Sequence, residues 1–110
     1  MPIFVINVPT QQSNLNQKKS FENVTKTGVG EGYAINSKIL PLLVIGMTII
    51  VLDKSTKQKA VGVLKSLIET DQKTNNGISR YNIEINCLKE VEYTVDDEKI
   101  RLNRNGITVI

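Results

Sequence analysis

Histidine and tryptophan are absent from this 110-residue sequence, and cysteine occurs once. Without an imidazole the chain cannot build a Ser-His-Asp triad, an H-x-E zinc deaminase centre or an HExxH metalloprotease site. The single Cys87 excludes an internal disulfide and any zinc site with several cysteines, and it fits a reducing compartment. Its neighbours Asn86 and Leu88 give no sign of thiolate activation, so we interpret it as a structural core or strand residue.

The sequence also lacks a secretory signal and a long apolar helix. Residues 1–7 contain neither a charged leading region nor a small-residue cleavage site. The longest apolar run, residues 39–52, falls short of the ~20 residues that cross a bilayer, and Pro41, Gly46 and Thr48 interrupt it. We therefore expect a cytoplasmic protein with no membrane partner.

No group of side chains in the sequence indicates catalysis. The candidate carboxylates all fall in predicted turns, where aspartate is favoured because it forms local hydrogen bonds. A small enzyme based on Tyr, Lys or Glu is therefore the least favoured interpretation, and we expect no catalytic residue, no metal and no cofactor. These carboxylates are Asp53, Asp71, Asp96, Asp97 and Glu98.

The length and composition are those of one folded domain. A chain of 12.3 kDa can bury a single core, so residues 1–110 are expected to form one domain, either alone or as the N-terminal part of a longer protein. The composition, 40% hydrophobic and 23% charged, is far from that of disordered chains. A net charge of +3 and a pI of about 9.1 permit an anionic partner without requiring one.

Short β-branched and aromatic runs alternate with Gly- and Asn-rich turns along the sequence, which predicts a mainly β domain. The expected class is α+β, mainly β: a small bent β-barrel with one or two short helices. A helical turn is expected near residues 18–24, and Ser37 is expected to cap a second turn that runs into Leu40. The predicted strands are residues 3–8, 33–36, 47–52, 59–68, 81–87, 91–95, 100–102 and 107–110.

Glycines at 28, 30 and 32 form the pattern G-x-G-x-G. This spacing differs from the dinucleotide-binding fingerprint G-x-G-x-x-G, and no helix-opening pattern follows it. We interpret the segment as a hinge or bulge. Gly62 inside the strand 59–68 is expected to mark another bulge or bend.

Three landmarks resemble the PUA-like superfamily. They are the first strand Phe4-Val5-Ile6-Asn7, the long loop after it, and a hairpin that begins at Ile45-Gly46-Met47 and returns through Ala60-Val61-Gly62. The similarity is greatest to the EVE and YTH branches, and to the DNA-reading N-terminal domains of McrB-type, modification-dependent restriction systems. The resemblance implies a module that accepts a modified or flipped base beside the first strand. This chain departs from it in lacking the Trp cage of YTH readers and in carrying Met47 where an acidic residue is usual.

A base lifted from its stack needs an aromatic face, hydrogen-bonding groups along its edge and cations for the phosphates. Tyr33 and Tyr81 are the candidate stacking residues, and tyrosine in a small β domain is also a common core residue. Candidates for the base edge also suit turn capping, and candidates for the phosphates also suit a solvated surface. The base-edge candidates are Asn7, Asn36 and Ser37, and the phosphate candidates are Lys18, Lys19, Lys38, Lys54, Lys57, Lys59 and Arg80.

Two functions remain open on the sequence. The first is a nucleic-acid-binding module, with DNA favoured over RNA, that serves as the specificity domain of a restriction system beside fused or separate motor or nuclease subunits. The second is a protein-interaction or oligomerisation module. In that case the polar face of the strand 81–87 and the apolar C-terminal strand would form the contact. The polar face comprises Arg80, Asn82, Glu84 and Asn86.

Overall fold

Six strands form a single sheet in the computed structural model of the protein, which describes residues 2–8, 21–103 and 105–110. The predicted helical turn at 18–24 corresponds to a helix that begins at Phe21, and residues 18–20 lie outside the described ranges. The elements are β1 Ile3–Asn7, α1 Phe21–Thr27, β2 Val29–Ala34, a 3₁₀ turn Leu40–Leu42, β3 Thr48–Asp53, β4 Gln58–Lys73, β5 Ser79–Val91, α2 Val95–Glu98 and β6 Ile107–Val109.

The sheet has the order β2-β5-β4-β3-β1-β6 and curls into a half-barrel. The β1–β3 pair is parallel and every other pair is antiparallel. The long β4 pairs with β3 through its first half and continues alone with β5 through its second half, so the sheet bends between the two halves. The predicted class, a mainly β bent barrel with two short helices, is confirmed.

The concave face of the sheet holds the main core. Alternate residues of each strand point inward, as the two-residue period of a strand requires, and Phe21 and Val24 of α1 pack against them. The central inward side chains are Phe4, Ile6, Ile49, Val51, Leu64, Ile83, Ile85 and Ile107.

The convex face of β1 and β3 is also buried. Val5, Ile50 and Leu52 lie beneath Tyr93, Ile100 and Leu102, which belong to the segment of residues 92–103 that we call the strap. Burial on both faces explains why β3 is apolar without alternation. The end of the apolar run 39–52 forms the central strand β3, and its start forms the 3₁₀ turn and an exposed loop. No helix in the described ranges is long and apolar enough to span a bilayer.

Both predicted bulges are confirmed. The pairing of β2 with β5 shifts register between Gly30 and Tyr33, and the pairing of β4 with β5 shifts between Val61 and Val63. A Cβ at Gly62 would lie 2.6 Å from Ile85 Cγ2 and 2.8 Å from the Asn86 carbonyl oxygen. Glycine is therefore required there by the close approach of β5.

Three local predictions are wrong. Residues 91–95 and 100–102 do not form separate strands: Val91 ends β5, and α2 begins at Val95 because the Asp97 carboxylate accepts the Thr94 N–H at 2.7 Å. The β-branched residues at 91 and 95 predict a strand. The capping interaction and the packing of the strap on β1 and β3 override this preference and give a helix. The turn before Leu40 is capped by Asn36 rather than Ser37, since the Asn36 Oδ1 accepts the N–H groups of residues 38 and 39.

Candidate nucleic-acid interface

Two pockets lie side by side at the start of β5 and share Ile78 as a common wall. The aromatic pocket has a volume of about 310 Å³ and is lined by Ile35, Asn36, Ser37, Leu40, Gly77, Ile78, Ser79 and Tyr81. The cationic pocket has a volume of about 370 Å³ and is lined by Lys73, Thr74, Asn75, Asn76, Ile78, Arg80 and Asn105.

The end of β2 and the start of β5 build the aromatic pocket. Tyr81 pairs with Tyr33 across the two strands and is half-buried at the end of the inward-facing row of β5. The Asn36 Oδ1 accepts the backbone N–H groups of Lys38 at 2.9 Å and Ile39 at 3.0 Å. The oxygen of this carboxamide therefore fixes the turn, and its NH₂ group is the part that remains to donate to a ligand.

The turn between β4 and β5 builds the cationic pocket. The Thr74 N–H donates to the Ile78 carbonyl at 2.9 Å, and the Gly77 N–H donates back to the Thr74 carbonyl at 2.9 Å. Gly77 has φ +83°, as the Asn-Asn-Gly turn in the sequence predicts. The turn thereby holds Lys73 on one strand close to Arg80 on the other.

Neither Lys73 nor Arg80 forms an ion pair with any of the described residues. In the part of the chain that the structure describes, the ion pairs are Lys57–Glu98 and Lys59–Asp97. The Arg80 Nη1 donates to the Gly32 carbonyl at 2.9 Å, which orients the guanidinium without neutralising it. Asp71, two residues before Lys73, is exposed and does not line the pocket.

The cationic pocket lies at the exit of the first strand. Asn105 lines it, and the next residue, Gly106, accepts the Asn7 N–H at 2.8 Å. The Tyr33 hydroxyl donates to the Asn7 carbonyl at 3.4 Å from the opposite side of the barrel. The curl of the sheet thus brings the start of β5 to the end of β1, although 72 positions separate Asn7 from Ser79 in the printed numbering.

Tyr33 itself is a core residue with 5% of its surface exposed. Burial raises the pKa of its hydroxyl well above the ordinary value of 10.0, so the group stays protonated and can donate to Asn7. The side chain of Asn7 is also occupied, since its Oδ1 accepts the Lys54 N–H at 3.4 Å. Both residues support the wall behind the pockets, and neither lines them.

Lys54 and Lys57 of the β3–β4 turn and Lys59 at the start of β4 bind the strap, and they line neither the aromatic nor the cationic pocket. Lys57 pairs with Glu98, and Lys59 pairs with the buried Asp97 at 2.9 Å. The Lys54 Nζ donates to the Ile100 carbonyl at 2.5 Å. Phosphate binding by these side chains would have to compete with contacts inside the protein.

Asp97 anchors this arrangement. Burial acts to raise the pKa of its carboxyl group, but the hydrogen bonds from Thr94 and the ammonium of Lys59 outweigh burial, so the pKa lies below the ordinary value of 3.8. The Lys57 ammonium also lies 5.6 Å from the centre of the Tyr93 ring, within range of a cation–π contact. The strap is thus held by charge as well as by apolar packing.

The structure therefore separates the predicted site residues into groups. Asn36, Ser37 and Tyr81 surround one pocket, Arg80 lines the next, and Lys38 is exposed in the turn beside Asn36. Asn7 and Tyr33 lie behind them, while Lys57 and Lys59 are paired with the strap. Lys18 and Lys19 lie outside the described residues.

Sequence reasoning missed several residues of the cationic pocket. Lys73, Asn75, Asn76 and Asn105 line it, and their only signal in the sequence is their membership of Gly/Asn turns. Their convergence depends on how far β4 extends and how the sheet bends. Cys87 is exposed on β5, and no three His, Cys, Asp or Glu side chains in the described ranges converge as metal ligands.

Comparison with protein families, with curated proteins and with solved structures gives no match to this chain.

Proposed function

We propose that this domain binds nucleic acid, with an unstacked base in the aromatic pocket and a backbone phosphate in the cationic pocket. The observation that carries the proposal is the shared wall at Ile78, which places the two pockets in direct contact. A nucleotide combines a flat aromatic ring with an anion a few ångströms away, and the two pockets offer the complementary groups in the same arrangement.

The aromatic pocket suits a base for three reasons. The Tyr81 ring supplies a stacking face, and Ile35, Leu40 and Ile78 supply an apolar floor. The Asn36 NH₂ group can donate to a base edge, and the hydroxyls of Ser37 and Ser79 can donate or accept. A volume of about 310 Å³ lies at the lower end of small-ligand sites, which is appropriate for one ring system rather than a long ligand.

The resemblance to PUA-like domains adds finer expectations to this proposal. It favours DNA over RNA, a modified or flipped base, and a role as the specificity domain of a restriction system with motor or nuclease partners. These expectations concern the ligand and the partners, so the same binding experiment can test the first two by varying the oligonucleotide.

Fluorescence anisotropy with short labelled oligonucleotides tests the proposal. Plain and methylated single strands, the matching duplexes and an RNA strand are compared at low and at physiological salt. One backbone phosphate, neutralised by Lys73 and Arg80 together, predicts a slope of about −0.7 in a plot of log K against log salt for a single strand. Absence of binding to every oligonucleotide at low salt would refute the proposal.

Charge variants locate the contact. Lys73→Gln should weaken binding at low salt by about tenfold, since the phosphate keeps Arg80 and loses one charge-assisted hydrogen bond. Lys65→Gln is the matched control, because Lys65 is an exposed lysine on the same strand and does not line the pocket. Equal affinities for the two variants would place the phosphate contact elsewhere.

Ring variants test the stacking. Tyr81→Leu should weaken binding by about 1–3 kcal/mol, the usual contribution of one base–aromatic stack. Tyr81→Phe keeps the ring and should bind as the natural protein does. If Tyr81→Leu melts at the natural temperature and still binds fully, the aromatic pocket is not the base site.

A second candidate function is self-association through the loop after the 3₁₀ turn. Leu42, Val44 and Ile45 are 51%, 60% and 59% exposed, although hydrogen bonds such as Gly46 N–H to the Leu64 carbonyl at 2.8 Å fix the loop. The polar face of β5 was predicted to form the contact with a partner. Its Asn82 makes a hydrogen bond within the domain instead, since the Asn82 Oδ1 accepts the Gly32 N–H at 3.1 Å.

Three side chains cover far less than the ~800 Å² per partner of a stable dimer, so self-association through this loop should be weak. Sedimentation velocity at rising concentration, with Ile45→Asp as the disrupting variant, tests this candidate. A single monomeric species at all concentrations would refute it.

A further inference from the structure

We infer that the cationic pocket recognises a phosphomonoester, the dianionic phosphate of a strand end or of a free nucleotide, in preference to an internal phosphodiester. This inference rests on the proposed function and specifies the ligand of the same site. Its basis is the number of unused hydrogen-bond donors around the pocket and the absence of carboxylates from its lining.

The donors of the pocket exceed what a phosphodiester can use. Lys73 has no ion pair or hydrogen bond to its ammonium in the described structure, and Arg80 uses one of its five N–H groups on the Gly32 carbonyl. The Thr74 hydroxyl accepts the Ile78 N–H at 3.1 Å and keeps its own hydrogen for a ligand. Three carboxamides add further N–H groups, those of Asn75, Asn76 and Asn105.

The charge of the pocket also matches a dianion. An internal phosphodiester carries one negative charge on two free oxygens. A phosphomonoester carries about 1.5 to 2 charges on three strong acceptor oxygens at neutral pH. Two unpaired cations facing one space repel each other, and a dianion relieves that repulsion more completely than a monoanion.

The volume of the site agrees with a terminal group. A volume of about 370 Å³ beside the aromatic pocket leaves room for a whole phosphate with its first hydration shell. A phosphate bonded to one nucleoside can enter it while the base of that nucleoside reaches across Ile78 to Tyr81. The smallest complete ligand is therefore a single nucleotide.

Competition anisotropy tests the inference with five ligands. Three are strands of one base sequence, which are unphosphorylated, 5′-phosphorylated or 3′-phosphorylated, and the other two are a nucleoside monophosphate and its nucleoside. At least one phosphorylated form should bind about tenfold tighter than its unphosphorylated counterpart, the effect of one additional charge-assisted hydrogen bond. Comparing the gain for the two phosphorylated strands with the gain for the nucleoside monophosphate shows whether the pocket takes the phosphate of a strand end or of a free nucleotide.

Variants and pH provide the controls. Lys73→Gln should abolish the gain, Lys65→Gln should retain it, and thermal melting verifies that both variants fold. The gain should also fall as the pH decreases from 7.5 to 5.5, because the second proton of a phosphomonoester binds with a pKa near 6. The chain contains no histidine, and the unphosphorylated strand at the same pH values controls for the α-amino group, so a change in the gain is attributable to the ligand.

The outcomes separate this inference from the proposed function. If all strands bind equally, the inference is overturned and nucleic-acid binding stands. If only the phosphorylated forms bind and Tyr81→Leu binds them as the natural protein does, the inference is supported and base binding in the aromatic pocket is refuted. A gain that survives Lys73→Gln would place the phosphate outside this pocket and overturn the inference.

Discussion

Asp97→Asn should destabilise the domain markedly, while Glu98→Gln on the same short helix should have little effect. The two carboxylates face the two lysines of one turn, but their surroundings differ. Lys59 and Asp97 have 17% and 5% of their side chains exposed, whereas Lys57 and Glu98 have 59% and 40% exposed. Asparagine at 97 can still accept the Thr94 N–H, so the substitution removes mainly the charge.

The expected loss of stability for each variant follows from how deeply its ion pair is buried. Breaking a fully buried pair costs about 3–5 kcal/mol because it leaves an unpaired charge. Exposed pairs contribute about 0–1 kcal/mol. Lys59 is mostly but not completely buried, so we expect a loss of about 2 kcal/mol for Asp97→Asn. For Glu98→Gln we expect less than about 0.5 kcal/mol.

Urea unfolding measures both values, with Lys59→Gln and the double variant Lys59→Gln/Asp97→Asn completing a thermodynamic cycle. The coupling energy of the cycle should exceed 1 kcal/mol if the ion pair carries the effect. Equal losses for Asp97→Asn and Glu98→Gln, or no coupling with Lys59, would contradict the account of the strap.

The lowered pKa of Asp97 also predicts how the free energy of unfolding changes at acid pH. The folded-state pKa of Asp97 lies below its unfolded value of about 3.8, so its contribution is fully present above that value. It is lost as the pH falls through the lower folded-state pKa. The stability difference between the natural protein and Asp97→Asn should therefore be constant from pH 7 to 5 and narrow below pH 4, and a difference that stays constant down to pH 2 would contradict this linkage.

Further substitutions test local features. Gly62→Ala should cost about 2–3 kcal/mol in urea unfolding, since its Cβ would lie 2.6 Å from Ile85 Cγ2 and 2.8 Å from a backbone oxygen that cannot move freely. A neutral result would mean that β5 can shift away from the bulge. Asn36→Asp keeps the oxygen that caps the turn and removes the NH₂ donor, so it should melt as the natural protein does and bind oligonucleotides several-fold more weakly. Full binding by this variant would remove Asn36 from the base edge.

The fold was largely predictable because its signals are local. Alternation in β5 from Tyr81 to Ile85, the Asn-Asn-Gly turn and the two bulge glycines each follow from backbone sterics or strand periodicity. The strap was not predictable in the same way. Its valines suggest strands. Its helix forms instead because the Asp97 carboxylate accepts the Thr94 N–H and because the strap packs on the apolar convex face of β3.

The site was predictable in part. Asn36, Ser37 and Tyr81 lie close together because Asn36 and Ser37 follow β2, which pairs with β5. In the cationic pocket the β4–β5 turn brings Lys73 and Arg80 together, and Asn105 joins them only because the sheet curls. Periodicity carries no information about that longer-range contact. Sequence reasoning also assigned Lys57 and Lys59 to phosphates, and could not foresee that two carboxylates of the strap bind them in the fold.

The most direct test of the central claim is a map of the bound surface. A ¹⁵N-labelled sample titrated with a short phosphorylated single strand should show amide shifts at Asn36, Ser37 and residues 73–81, together with the side-chain amides of Asn75, Asn76 and Asn105. The strap and the loop at 42–45 should stay unchanged. Shifts confined to the strap or to that loop would contradict the account.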